Sequence, residues 1–446
     1  MAANKLSARF QETLAAAGDD DQVVALVRTR SPQPGRETLE RLRPMVSGEQ
    51  LATRRSELLG LITERYGRGD QFRANLRNDT AEAHAPVLEA APGAHSLWLA
   101  DAIVVTGTRS ELQSLARHER VARVEANPVL RIPRFLRTPL EDSPEAVDGS
   151  TWGLACIGAP ETWGGLGRGE GVLVGHLDTG VDASHPALAG KVAAFQEFDA
   201  HGLPVPSAPH DTVDHGTHTA GTIVGRTLRG INIGVAPDAR LVSALVLPGG
   251  EGTFAQVVAG MQWAIGQGVH VINMSLGGSG YEPLWNLPVL NTVQSGVVLV
   301  ASIGNAGHGT SGGPGNDGLA IGVGASHRLD AVAGFSGGQT MDSVPWFGAR
   351  VTYNKPDLVA PGVQVVSCVP GGGLAAFNGT SVAASHVTGA VALLQSAEPG
   401  LRGDAWATRA ILLGTVEDFG EAGKDQRFGF GRVDARSSAA QAIAFC

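Results

Sequence analysis

Apolar and polar positions divide the chain into two stretches of different texture. After a polar start that reads as a short helix over residues 1 to about 20, Val23 to Arg28 is a compact β-rich run. From Arg36 to about Leu76 the pattern turns helical, with Arg and Glu on the polar side and Leu51, Leu58, Leu59 and Ile62 at helical spacing. Ser96 to Thr106 reads as strand, Ser110 to Arg117 as helix and Val121 to Glu125 as strand, with one further strand inside the Trp98–Val105 run. That order predicts a small α+β unit over residues 1–130. A run rich in proline and acid follows, from Pro133 to Ser150, and predicts an exposed linker over 131–150.

Beyond residue 150 the apolar runs become nearly continuous. Gly171 to Asp178 is the first, and others recur at Leu241–Leu247, Val269–Met274, Val297–Ala301 and Ala320–Val323. Helical stretches such as Phe254–Ile265 lie between them. Strands without polar alternation, separated by helices, predict an α/β unit over 151–446: a parallel sheet with helices on both faces. In such sheets, chemistry collects where strands end and loops begin.

Composition narrows the functional classes. A 43% hydrophobic content with 61 glycines suits a compact enzyme and excludes a disordered or fibrous chain. The net charge of −9, from 34 basic against 43 acidic residues, gives no electrostatic case for nucleic acid. Cys156, Cys368 and Cys446 are too scattered for a disulfide framework or a metal site and read as free thiols. No run approaches the ~18 apolar residues of a membrane span, so no membrane partner is expected. Met1 to Gln22 lacks the apolar core of a signal peptide and runs into Asp19-Asp20-Asp21. The default expectation is a cytoplasmic protein; the alternative is secretion by a non-classical route.

Four polar residues stand at places where chemistry is possible. Ser381 follows Asn378-Gly379-Thr380 and opens a long run of small and apolar residues. That is a helix N-terminus, where free N–H groups and the positive end of the dipole gather. A serine there is either a plain N-cap or a nucleophile whose own N–H meets the oxyanion. Asp178 ends the first apolar run before a glycine turn, as a turn cap or as a carboxylate held beneath an imidazole. His215 leads a helix of very small residues, with His218 one turn later reading as structural. A metal pair is the remote alternative for these two histidines, since the helix carries no Glu. Asn305 follows the fourth apolar run, as a turn residue or as an amide aimed at an oxyanion.

In the order Asp, His, Asn, Ser, the region from about Trp152 to Ala444 resembles the subtilisin-like serine proteases, the subtilases. The resemblance rests on Asp178-Thr179-Gly180, His215-Gly216-Thr217-His218, Asn273 to Gly278, Gly304-Asn305 and Gly379-Thr380-Ser381. Gly234 to Pro237, Ala360-Pro361-Gly362 and Phe428 to Val433 extend it. It implies that Ser381 attacks the scissile carbonyl, His215 relays its proton, Asp178 orients the imidazole, and Asn305 with the Ser381 N–H holds the oxyanion. It also implies that an extended protein or peptide substrate lies as an added strand between Ser275-Leu276-Gly277 and Gly250-Glu251-Gly252. Phe254 would wall the pocket for the fourth residue before the cut, and the uncharged Ala306 implies an apolar or broad first pocket. No cofactor or metal is implied. Leu228 stands where an asparagine often helps to hold calcium, and Asp211 and Asp214 read as a solvated loop rather than a cation site.

Ser385 departs from the family, which usually has proline four residues after the nucleophile. That departure keeps open an acyl transfer to amines, as in a peptide ligase or cyclase. A non-catalytic binding protein on the same fold is the third reading. From about Ser96 to Asn127 the N-terminal unit resembles the ferredoxin-like propeptide domain of subtilases, with a helical stretch over 35–90 longer than usual. This implies a folding template and intramolecular inhibitor whose tail enters the cleft, with an autoprocessing region in 131–150. The competing reading is a permanent regulatory or targeting domain.

Overall fold

The computed structural model describes residues 5–30, 63, 67–142, 146–346 and 349–445 of the 446-residue chain. The N-terminal unit consists of α1 (Ala8–Ala16), β1 (Val23–Thr29), α2 (Gly69–Ala90), β2 (His95–Leu97), β3 (Ala102–Gly107), α3 (Arg109–Arg117) and β4 (Val121–Ala126). Its strands pair antiparallel in the order β2-β3-β1-β4. Ser7 caps α1, and Thr108 with Glu111 forms a capping box on α3. Leu51, Leu58, Leu59 and Ile62 lie outside the described residues.

The apolar run 96–106 is broken into two strands. Trp98 to Asp101 leaves the sheet as a turn, with Asp101 at φ +49°. The cause is docking on the second unit. Leu99 and Ala100 are fully buried there. The Leu99 N–H donates to Gln262 Oε1 (2.9 Å), and its carbonyl accepts from Asn291 Nδ2 (2.8 Å).

Alternate residues of the small sheet serve two cores. Ala25, Val27, Ile103 and Val105 pack with Phe10, Leu14 and Leu112 of their own unit. Leu26, Ala102 and Val104 join a cluster that runs on through Phe72 and Leu76 into the second unit. A strand covered on both faces reads as an unbroken apolar run, which is how β1 and β3 look in the sequence.

Two short strands follow, β5 (Val129–Arg131) and β6 (Leu136–Thr138). The second unit is then built on β7 (Leu173–Asp178), β8 (Val192–Phe198), β9 (Pro204–Val205), α4 (His215–Val224), β10 (Arg240–Leu245), β11 (Glu251–Thr253), α5 (Phe254–Gly266), β12 (Val271–Met274), α6 (Asn286–Gln294), β13 (Val298–Ser302), β14 (Ile321–Ser326), β15 (Leu358–Pro361), β16 (Gly373–Asn378) and α7 (Thr380–Ala397). The main sheet has eight strands in the order β15-β14-β13-β12-β7-β10-β8-β9, parallel except for the edge strand β9. Val298 and Val300 face one core with Ala384, Val387 and Val391 of α7, and Ile223 of α4. Leu299 and Ala301 face the other, with Val258 and Met261 of α5 and Leu290 of α6. The fold is the predicted α/β sheet covered on both sides. No described helix is long and apolar enough to cross a membrane.

Candidate active site

The sheet order reverses around β7, and three candidate site residues gather at the carboxyl ends of the strands on that side. Asp178 ends β7, Ser275 follows β12, and Asn305 follows β13. Two helices aim their first turns at the same crevice: α4 brings His215 and α7 brings Ser381. Glycine makes the first approach possible. A Cβ on Gly216 would sit 2.1 Å from the Gly180 carbonyl oxygen, so only glycine lets α4 begin against the loop after Asp178.

His215 Nδ1 lies 2.6 Å from Asp178 Oδ1, and both residues are fully buried. Oδ1 also accepts from the Thr179 N–H (2.8 Å), and Oδ2 accepts from Thr219 Oγ1 (3.1 Å). Burial opposes the charge on Asp178. His215, bonded to it, and the Thr179 N–H outweigh it and hold the carboxyl below its ordinary range. Burial likewise opposes a charged His215, but Asp178, with help from Asp211 and Asp214, holds its pKa above that of an ordinary histidine. His218 points elsewhere. Its Nε2 lies 3.1 Å from the Val365 carbonyl and its ring stacks on Phe377 at 4.0 Å, while burial pushes its pKa down to about 3. It is a neutral packing residue.

Asn305 is held by the residue before the serine. Its Oδ1 accepts from the Thr380 N–H (2.9 Å) and from Thr380 Oγ1 (2.7 Å). This leaves Nδ2 facing the crevice, where it donates to the Arg134 carbonyl at 2.7 Å. Ser381 is second in α7, among N–H groups that lack intrahelical acceptors. Its Oγ lies 3.5 Å from the Ser275 carbonyl. His215 Nε2 is buried and takes no hydrogen bond among the described residues.

The Arg134 carbonyl belongs to a segment that runs through the crevice. The first part of the stretch expected as an exposed linker over 131–150 is instead bonded to the second unit, with Val129 to Ile132 and Leu136 to Thr138 paired, as the resemblance implied for a tail that enters the cleft. β5 is antiparallel to β11, with Leu130 opposite Gly252 and Arg131 opposite Glu251. On its other side, Arg131 exchanges both backbone bonds with Gly277, at 3.0 and 2.9 Å. The Ile132 N–H donates to the Gly250 carbonyl (3.1 Å). Thus Gly250, Gly252 and Gly277 form the two edges that were expected to grip an extended peptide, and they grip the chain itself. Leu130 is buried in one cluster with Phe254 and Leu276, and Phe254 meets Trp285 edge-on at 4.9 Å. Ala306 is exposed beside Asn305.

The same register carried two residues further sets Pro133 opposite Ser275. Proline has no N–H to give the Ser275 carbonyl, and that carbonyl faces Ser381 Oγ. Phe135 then lies 5.1 Å from the His215 ring and 4.6 Å from Phe377. β6 pairs antiparallel with β16, Leu136 opposite Asn378, and Arg137 bridges Asp214 at 3.1 Å. Composition hid this segment, because proline and acid mask a β-rich Val129 to Ile132 run.

The remaining expected features have internal partners. Asp211 accepts from Thr179 Oγ1, the Thr217 N–H and hydroxyl, and the Val213 N–H, at 2.6 to 3.1 Å. Ser385 Oγ donates back to the Ser381 carbonyl (3.0 Å), which Ser275 Oγ also approaches at 3.0 Å. Thr179, Thr219 and Thr380 support the site without having been singled out as site residues from sequence, although each sits within or beside one of its motifs.

A buried Asp–His pair beside a helix-opening serine, on a parallel sheet covered on both faces, marks the class of serine hydrolases. The sequence pattern described as the subtilase family matches residues 169–431, and the chain belongs to that family, the subtilisin-like serine proteases. It is 37% identical over 249 residues to the "Intracellular serine protease" of Paenibacillus polymyxa, covering 54% of this chain and 72% of that one. It is 35% identical over 252 residues to the "Major intracellular serine protease" of Bacillus subtilis (strain 168), covering 55% and 75%. Against "Subtilisin Savinase" of Lederbergia lenta it is 33% identical over 288 residues, covering 64% and 97%.

Proposed function

We propose that this endopeptidase cuts peptide bonds with Ser381 as nucleophile, His215 as general base and Asp178 as its orienting partner, and that residues 129–138 hold it as a self-inhibited precursor. One observation carries the reading: Asn305 Nδ2 donates at 2.7 Å to the carbonyl of a chain stretched across the crevice beside Ser381. A donor fixed on a peptide carbonyl before reaction stabilises the charge that appears there when serine adds. Ser381 Oγ then passes its proton to His215 Nε2, which returns it to the leaving amine. Asp178 holds Nδ1 and balances the charge on the ring.

The N-terminal unit is the intramolecular partner, docked through Leu99 and continuous with the strand in the cleft. Substrate takes the same two edges, Gly250 to Gly252 and Ser275 to Gly277, once that strand leaves. The names of two relatives favour an intracellular setting, which fractionation of the source cells tests.

The test is intact mass over time for wild type beside Ser381→Ala. Wild type should shorten to fragments that abut between 129 and 150, while the variant stays whole. Labelling of Ser381→Ala by a serine-reactive phosphonate, equal to that of wild type, would sink the nucleophile assignment. Product masses with an added amine distinguish hydrolysis from acyl transfer.

A further inference from the structure

Behind the Asp178–His215 pair lies a second histidine that the triad leaves unused. His176 precedes Asp178 by two positions on β7, so both side chains leave the face that α4 covers. Its ring is fully buried. Nδ1 lies 3.1 Å from Ser243 Oγ, the residue directly opposite on β10, and Nε2 lies 2.9 Å from Thr219 Oγ1 on α4. Thr219 Oγ1 stands in turn 3.1 Å from Asp178 Oδ2 and 3.0 Å from the Gly216 carbonyl.

Proton counting selects one arrangement. With its proton on Nε2, His176 donates to Thr219 Oγ1, Ser243 donates to Nδ1, and the single Thr219 proton is free to go to Asp178 Oδ2 or the Gly216 carbonyl, of which the charged carboxylate draws it more strongly. In the other tautomer Thr219 gives its proton to the ring, and Asp178 Oδ2 loses its hydroxyl donor. A buried carboxylate oxygen favours the first, since a bond to a charged acceptor is roughly twice as strong as a neutral one. We propose that His176 is a positioning residue for catalysis: through Thr219 it directs a third hydrogen bond onto Asp178 and fixes the carboxylate in the orientation that meets His215.

Burial lowers the His176 pKa, so the ring contributes a donor rather than a charge. The ionisable groups facing it are Asp178 on its own strand, Asp211 on the loop before α4, and His215 on α4. Its Nε2 lies 3.9 Å from Asp178 Oδ2, too far for a direct bond.

The proposal rests on Asp178, His215 and Ser381 acting together, and its test separates the two ideas. Thr219→Val, which keeps the side-chain shape, should lower kcat about ten- to a hundredfold with KM little changed. His176→Leu should do the same by about three- to tenfold. The second readout needs no turnover: the low-field proton of His215 Nδ1–H, in the Ser381→Ala background where the chain stays whole, assigned by its loss in His215→Ala and followed against pH. With one donor removed, the Asp178 charge rests more heavily on His215, so the ring should titrate at higher pH in both variants. The double variant should match Thr219→Val alone, and His176→Gln, which retains an N–H, should recover most of both effects. An unmoved His215 titration in Thr219→Val, or additive shifts in the double variant, overturns the proposal. If His176→Leu does not fold, Thr219→Val and His176→Gln carry the same test. Turnover retained in Ser381→Ala would instead defeat the triad, whatever the resonance shows.

Discussion

The two units bury polar groups in different ways. Among the described residues of the N-terminal unit, the buried polar side chains are few, chiefly Ser7, Thr29, Thr80 and the pair His84–Asp101 at 3.1 Å. In the second unit, buried polar groups crowd the crevice: His176, Asp178, Thr179, His215, Thr219, Ser243, Ser275, Thr380, Ser381 and His386 are all fully buried. A buried polar group without a partner costs free energy, so such crowding persists only where nearly every group has one. The second unit therefore carries chemistry in its core. The first meets it through its surfaces: one sheet face packs toward α5 and α6, which carry neither His215 nor Ser381, and the strand that leaves it lies in the cleft. Changes in the core should alter rates or stability, while changes in the strand should alter occupancy.

The largest effect expected from that contrast lies far from the crevice. Asp357 is fully buried and accepts from Lys355 Nζ (2.6 Å), Lys424 Nζ (2.7 Å), Arg409 Nη2 (3.2 Å) and the Gly322 N–H (2.9 Å). Burial opposes its charge, but three cations hold the carboxyl far below its usual range. Asp357→Asn strands those cations and should destabilise the fold by about 3–5 kcal/mol, read as a lower denaturant midpoint. A midpoint within error of wild type would remove buried charge as a feature that sets the catalytic unit apart. Asn305→Leu comes next. It should reduce kcat by roughly 10²–10³-fold with KM nearly unchanged, the scale one oxyanion donor has in subtilisin itself. A rise in KM alone would make Asn305 a binding residue.

The strand makes the opposite prediction. Leu130 is buried in the apolar cluster that includes Phe254. Leu130→Asp puts an unpaired carboxylate there, which costs several kcal/mol and favours release of the strand. Initial rates on a short chromogenic peptide should rise about tenfold or more, the effect of every 1.4 kcal/mol shifted. A fall in rate would mean that the strand supports the site instead of blocking it.

Much of this was legible in the sequence, for reasons that differ by region. The parallel sheet showed itself because Val298 to Ala301 send alternate side chains into two cores and so read as one apolar run. The four site residues were legible because strand ends and helix starts need glycine nearby, as at Gly180, Gly216 and Gly379. The strand in the cleft was implied only by the resemblance of the N-terminal unit to a propeptide domain; its own composition did not show it, because its pairing partners, Gly250 to Thr253, Gly277 and Gly373 to Asn378, lie more than a hundred residues away. Composition records local tendency, and nothing local in Val129 to Thr138 says what it will pair with. His176 escaped for a related reason: its meaning depends on Ser243 and Thr219, which only the fold brings to it.

The smallest effect is a slope with pH, and it tests whether the core's polar groups stay neutral where the fold needs them to. His386 lies one turn beyond Ser381 in α7, with Nδ1 2.9 Å from the Val382 carbonyl and Nε2 buried without a partner among the described residues. Burial pushes its pKa down to about 4. Above pH about 6.5 the ring is neutral in both the folded and the unfolded chain and contributes no pH dependence. Below that, the unfolded chain takes up a proton that the folded chain refuses, so stability falls with falling pH by about 1.4 kcal/mol per unit until the folded ring titrates near 4. His386→Leu removes this contribution. Its denaturant midpoint should therefore fall less steeply than that of wild type between pH 6 and pH 4.5, with His218, at about 3, supplying a parallel slope in both proteins. Equal slopes would mean that the unfolded chain holds its proton no better than the folded one, and that the second unit tolerates charge beside Ser381 after all.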